Sequence, residues 1–137
     1  MRRTLPLFLA ASLSLSVGCD AFHQAKDAAI DRQLAKVAVE VNKDLPKMVD
    51  PETRFDSTSA LPGKVLKYSY TLINLRADQI DPKRIQDGFR PELVNKVKTV
   101  PEMAPLRAQG VTFVYHYVDK DGALVANLEI GPKEYGN

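Results

Sequence analysis

A run of 13 apolar or weakly polar residues, Leu5 to Val17, sits between Arg2-Arg3 and Gly18-Cys19. A charged head, an apolar middle and a small residue ahead of a cleavage point make an export signal. The run is too short to cross a bilayer as a helix, which takes about 20 apolar residues. The part that folds is therefore the rest of the chain, about 118 residues ending at Asn137. Cys19 is the only cysteine. Once it is spent on lipid or removed, no thiol is left for a disulfide, although export leads to an oxidising compartment. The fold must be held by packing alone, and this length suits one small domain with a real core.

Ser16-Val17-Gly18-Cys19 resembles a bacterial lipobox, in which small residues precede a cysteine that receives diacylglycerol. It departs from the pattern at Ser16, where lipoboxes carry Leu or another aliphatic residue. Signal peptidase I, cutting near Gly18 or after Ala21, stays open as the alternative. Lipidation at Cys19 implies three acyl chains and, at roughly 0.8 kcal/mol per buried methylene, permanent attachment to a membrane. Asp20 after the cysteine resembles an inner-membrane retention signal of enteric lipoproteins. The expected organisation is a signal peptide over 1–18, a lipid-anchored tether over 19–26 and a folded domain over 27–137.

The formal charge of +2 comes from 19 basic against 17 acidic residues. Arg2 and Arg3 account for the excess, so the exported part is neutral. Duplex binding needs clustered Lys and Arg to neutralise phosphates. No such patch is present, and nucleic acid is not expected as a partner.

Hydrophobic spacing gives the element order. Phe22, Ala25, Ala29, Leu34, Val37, Val41 and Leu45 recur close to one helical stripe, and Pro46 ends that helix near Asp44. Asp50-Pro51-Glu52 reads as a loop and Thr53 to Ala60 as a short or edge strand. Leu61-Pro62-Gly63-Lys64 is a type II turn, with proline at its first central position and glycine at its second. Val65 to Leu75 is a strand: Leu66, Tyr68, Tyr70 and Leu72 share one face, and Lys67, Ser69 and Thr71 share the other. Asp81-Pro82 starts a helix whose apolar residues, Ile85, Phe89, Leu93 and Val97, recur every four. Pro91 predicts a kink there, or two short helices meeting near Gly88. Thr99 to Gln109 reads as another short helix closed by Gly110. Val111 to Val118 and Leu124 to Ile130 form a hairpin across Asp119-Lys120-Asp121-Gly122, and the tail from Gly131 is expected to be loose. The order α-β-β-α-α-β-β predicts an α+β fold. It is a single domain with a long N-terminal helix packed on an antiparallel sheet of about four strands. Whether that helix packs along its whole length or projects as a stalk is open.

The runs Asp50-Pro51-Glu52-Thr53-Arg54, Tyr68-Ser69-Tyr70-Thr71-Leu72, Gly110-Val111-Thr112-Phe113-Val114-Tyr115 and Asp119-Lys120-Asp121-Gly122 resemble a family of small secreted proteins of Gram-negative bacteria with no assigned activity. The resemblance implies cysteines near Lys98 and near the C-terminus, able to pair; this chain has neither.

Chemistry-bearing residues are sparse. Tyr68, Tyr70, Tyr115 and Tyr117, with Phe113, alternate on two predicted strands. Rigid aromatics of this kind suit a binding face for a peptide, glycan or protein; the competing reading puts the same rings in the core. His116 is the one histidine in the predicted sheet, and no Gly-x-Ser-x-Gly elbow accompanies it. Asp119-Lys120-Asp121-Gly122 opens like a calcium loop, but the twelfth position is Ile130, where such loops need glutamate. Two distant histidines and one N-terminal cysteine make no zinc site. No metal, cofactor or catalytic residue is expected.

The reading is a small cell-envelope lipoprotein or secreted protein. It is non-catalytic and acts by protein binding, as a scaffold or inhibitor. It is anchored to a membrane through lipid on Cys19, or is periplasmic, or is released. The contact is expected at the Tyr face or at the Pro-flanked loops Asp50 to Glu52 and Thr99 to Pro105. A secreted host-directed factor and a weak hydrolase centred on His116 are the alternatives.

Overall fold

The computed structural model describes residues 18–136. The expected signal peptide lies outside that range except for Gly18. Among the described residues no helix is long and apolar enough to cross a membrane.

Helix α1 runs from Gly18 to Asn42 and buries Ile30, Leu34 and Ala38, four residues apart on one face. Its first three turns bury nothing: Phe22 is 69% exposed, and Ala25 and Ala29 are exposed too. The helix therefore both projects and packs. Docking starts at Asp27, which pairs with Lys64 at 3.5 Å. One turn later the Asp31 carboxylate accepts the Gly63 and Lys64 amides at 3.1 and 2.7 Å. Those amides belong to the tight turn, where Gly63 has φ 86°, the left-handed conformation that glycine supplies without steric cost. At the other end, the Asn42 side chain donates to the Thr58 carbonyl at 2.9 Å and accepts the Thr58 amide at 2.7 Å. It satisfies the backbone of an outer strand where no neighbouring strand does.

The sheet has five strands whose spatial order follows the chain: β1 (Lys47–Met48), β2 (Thr53–Leu61), β3 (Val65–Leu72), β4 (Thr112–Asp119) and β5 (Leu124–Ile130). The α+β single-domain architecture, with a long first helix on a sheet, is the expected one. Three details differ. The two-residue β1 is too short to leave a periodicity in the sequence. The two hairpins meet through β3 and β4, which pair parallel from Val65↔Thr112 to Leu72↔Asp119, so the sheet is mixed. Parallel neighbours need a long crossover. Here it contains α2 (Pro82–Arg84), α3 (Arg90–Thr99) and α4 (Ala104–Ala108). Finally, the tail is not loose. Helix α5 (Pro132–Tyr135) buries Tyr135, whose hydroxyl donates to the Val111 carbonyl at 2.9 Å.

The core lies on one face of the sheet. Leu66, Tyr70, Leu72, Phe113, Tyr115, Tyr117, Leu128 and Ile130 pack with Ile30 and Leu34 of α1, Ile85, and Leu93 and Val97 of α3. Alternation sends Lys67, Ser69, His116, Asn127 and Glu129 to the other face.

One polar group is built into this frame. Asp119, at the end of β4, is buried, and its carboxylate accepts the amides of Ala77, Asp121 and Ala123, each at 2.8 Å. It ties the start of the crossover to the β4–β5 turn. The Ala77 amide above all holds its carboxyl below the usual carboxylate range; burial opposes this, and the Ala123 and Asp121 amides and the Arg76 charge assist. A depressed carboxyl pKa contributes stability that is present above the unfolded value and is lost as pH falls through the folded one. Asp119→Asn, which turns an acceptor into a donor facing the Ala77 or the hairpin amides, is expected to lower the thermal midpoint at pH 7. The gap to the parent should shrink as both are taken to pH 2. Equal melts at pH 7 would contradict this role.

Candidate functional site

A cleft of about 890 Å³ opens at the end of the sheet where β2 begins and β3 finishes. Its floor is apolar: Leu72, Tyr117 and Val125 from the sheet, Leu75 and Ile80 from the start of the crossover, and Ile85 and Phe89 from the helical segment above. Asp50, Glu52, Asp81 and Glu92 line it with carboxylates, against the single guanidinium of Arg84.

Each wall has a local cause. Asp50 accepts the Glu52 and Thr53 amides at 2.8 Å each, an Asx-type turn that orders the loop. The Ile73 amide donates to the Glu52 carbonyl at 2.9 Å and pins the loop to the end of β3. Asp81 caps the opposite wall by accepting the Lys83 amide at 2.9 Å, with Pro82 at the first helical position. Pro91 has no N–H for the Asp87 carbonyl, and its ring would crowd that carbonyl in a regular helix. The chain answers with a π turn over Ile85–Phe89, in which the Arg90 amide donates to Ile85 five residues back. The expected kink is thus a widened turn inside one helical run. Phe89, on that turn, is 43% exposed and meets Tyr117 edge-on, with ring centres 6.0 Å apart. Turns of this kind often sit at functional sites.

Among the seven exposed large apolar side chains of the described residues, Phe89 stands at the cleft. A lone exposed apolar residue is ordinary, but one set against an apolar cleft floor suits a contact surface.

The aromatic set named from the sequence lies on the core face. Phe113 and Tyr115 are fully enclosed, Tyr70 and Tyr117 are buried, and Tyr68 is half-buried. Their rings form a continuous array across the sheet: Phe55 stacks on Tyr70 at 4.7 Å, Tyr70 on Tyr117 at 5.0 Å, and Tyr68 tilts against Tyr115 at 5.3 Å. Of the five, Tyr117 reaches the cleft. Burial pushes its hydroxyl pKa up to about 12, and the Asp50 charge adds to the shift. Burial likewise pushes Tyr68 up to about 12, and it raises Tyr70 and Tyr115, which also feel their tyrosine neighbours. The Tyr115 hydroxyl has no hydrogen-bond partner among the described residues.

The loop Asp50 to Glu52, expected as a contact, does line the cleft; the segment Thr99 to Pro105 does not. Sequence reasoning missed Phe89, Leu72, Ile80 and Val125 as a group, because the crossover brings them together and no local motif announces it. His116 sits on the opposite face, in register with Ser69 on β3 and Asn127 on β5. Its Nδ1 lies 3.1 Å from Asn127 Oδ1, so the ring's partner is an amide and not a carboxylate. Among the described residues no three His, Cys, Asp or Glu side chains gather to hold a metal ion. Cys19 is exposed at the start of α1 and unpaired.

A family model described as Domain of unknown function (DUF8479) matches residues 29–125. The chain belongs to that family. The match begins where α1 docks on the sheet and ends at Val125, so it contains every residue that lines the cleft. Solved structures share the fold. A Pseudomonas aeruginosa protein described as secreted is 21% identical with a TM-score of 0.69, over 80% of this chain and 96% of that one. The type II secretion system pilotin AspS of Vibrio cholerae is 9% identical with a TM-score of 0.61, over 80% and 95%. The pilotin EpsS of the Vibrio vulnificus type 2 secretion system is 13% identical with a TM-score of 0.58, over 82% and 97%. No curated protein matches the sequence. The DUF8479 chain thus has the fold of secretion-system pilotins and of a protein described as secreted.

Proposed function

We propose that this DUF8479 chain is an exported envelope protein that acts by binding a protein partner through the acid-rimmed cleft. The observation that carries this reading is the exposed ring of Phe89 standing over one apolar-floored cleft rimmed by carboxylates. The shared pilotin fold agrees with a binding role in the envelope. Residues 1–18 are the signal peptide, Cys19 carries the lipid, and residues 19–26 are the tether. The helical, solvent-exposed turns before Asp27 suit that tether, and at 1.5 Å per residue they reach about 12 Å. The function is scaffolding or inhibition of the partner, without catalysis.

Two substitutions test the anchor and the contact. Full-length protein is expected in the membrane fraction and Cys19→Ala in the soluble periplasmic fraction; unchanged fractionation would remove the anchor. A photo-crosslinking residue placed at Phe89 is expected to capture a partner in the cell, and the same probe at Asn127, on the other face, is not. The reverse pattern would move the contact to the outer face of the sheet. The likeness to a protein described as secreted favours release from the cell as the second reading; protein recovered from the medium with an unmodified Cys19 supports it.

A further inference from the structure

We infer that the cleft takes a cationic segment, a stretch of a partner protein in which two or three large apolar side chains are flanked by lysine or arginine. This rests on the cleft being the docking site and adds the chemistry of its occupant.

Charge is the first observation. Acidic and basic residues balance over the exported chain, yet around this cleft four carboxylates face one guanidinium. They are not spent on internal ion pairs. Glu52 and Glu92 make no side-chain hydrogen bond or salt bridge among the described residues. Asp50 and Asp81 accept backbone amides through Oδ1, Asp50 also takes the Thr53 side chain, and neither is in a salt bridge. Unpaired like charges around a low-dielectric floor focus a negative potential into the opening.

Shape is the second. Between the carboxylates the surface is apolar, with Phe89 exposed across Tyr117. A purely polar ligand would leave that surface wet. An acyl chain or a lipid would bring a carboxylate or phosphate against four like charges. A protein segment with apolar side chains and basic flanks satisfies both features. Its apolar groups fill the floor, its cations reach the rim, and the rim charges steer it in and reject acidic competitors. The volume suits a few side chains.

The test is selection of random phage-displayed peptides on the full-length protein, followed by affinity measurement on the synthesised winner. The expected winner carries apolar residues flanked by Lys or Arg. Its Kd should weaken about tenfold from 50 to 500 mM salt, because screening acts on exposed charges. It should weaken at least about tenfold with Phe89→Ala and with the double change Glu52→Lys and Glu92→Lys. Thermal melts of both variants beside the parent separate lost binding from lost fold. Neutral or acidic winners that still depend on Phe89 would overturn the cationic occupant and leave the docking reading standing. Winners that neither variant weakens, or no winner at all, would overturn both. So would a dimer of this chain that Phe89→Ala dissolves.

Discussion

Raising the pH above 10 is expected to unfold the domain in one cooperative step, complete by about pH 12, with tyrosinate absorbance appearing in the same step. Tyr68, Tyr70, Tyr115 and Tyr117 lie side by side on the core face, and burial raises all four hydroxyl pKa values above the ordinary 10, with Tyr68 and Tyr117 near 12. The sign depends on which state holds the protons. Above pH 10 the unfolded chain releases them while the folded chain keeps them, so stability falls as pH rises. Each such group contributes a slope of about 1.4 kcal/mol per pH unit. Four acting together remove roughly 5 kcal/mol per unit, against a total stability of about 5–15 kcal/mol. Circular dichroism and tyrosinate absorbance followed through one titration check this. Ionisation near pH 10 with native dichroism retained would mean that the rings are not enclosed. Tyr115→Phe sharpens the test. It removes one ionisable group and a buried hydroxyl that has no partner, so it should raise neutral-pH stability by about 1 kcal/mol and move the alkaline midpoint upward.

Much of this core is legible in the chain itself. Strict alternation puts Leu66, Tyr68, Tyr70 and Leu72 on one face, and the Pro62-Gly63 and Asp121-Gly122 turns mark both hairpins; Gly63 and Gly122 do take positive φ. The parallel pairing of β3 with β4 is not legible, since a period of two reads alike in parallel and antiparallel ladders. Which edge a returning strand finds depends on the path of the crossover. The cleft is partly legible. Asp50 to Glu52 declares itself as a loop, and Pro91 declares a disturbance in the helix. Nothing local says that the helix will widen instead of breaking, or that Phe89 will remain in solvent above Tyr117. The aromatic residues draw attention by type, and the fold spends most of them on its own interior.

The first helix shows how a stripe read from the sequence can be buried over only part of its length. The sequence stripe starts at Phe22, but burial starts at Ile30, because a stripe is buried only where a surface lies beneath it and the sheet ends near Lys64. Leu34→Ala is therefore expected to be severe. Leu34 is 0% exposed, and truncating a leucine in such a place loses transfer energy and leaves a cavity, about 2–5 kcal/mol in all. For a domain of this size that lowers the thermal midpoint by roughly 8–20 °C. Phe22→Ala, in the projecting turns of the same helix, should change stability by less than about 0.5 kcal/mol. Denaturant unfolding of the two variants beside the parent decides the matter. Hydrogen exchange supplies the local view: amides before Asp27 should exchange quickly, and those from Ile30 to Asn42 slowly. If Phe22→Ala costs as much as Leu34→Ala, the projecting turns are packed against something, and they cannot serve as a free spacer between Cys19 and the domain. If only Leu34→Ala is costly, one continuous helix works as both spacer and clamp, and Asp27 marks where one role passes to the other.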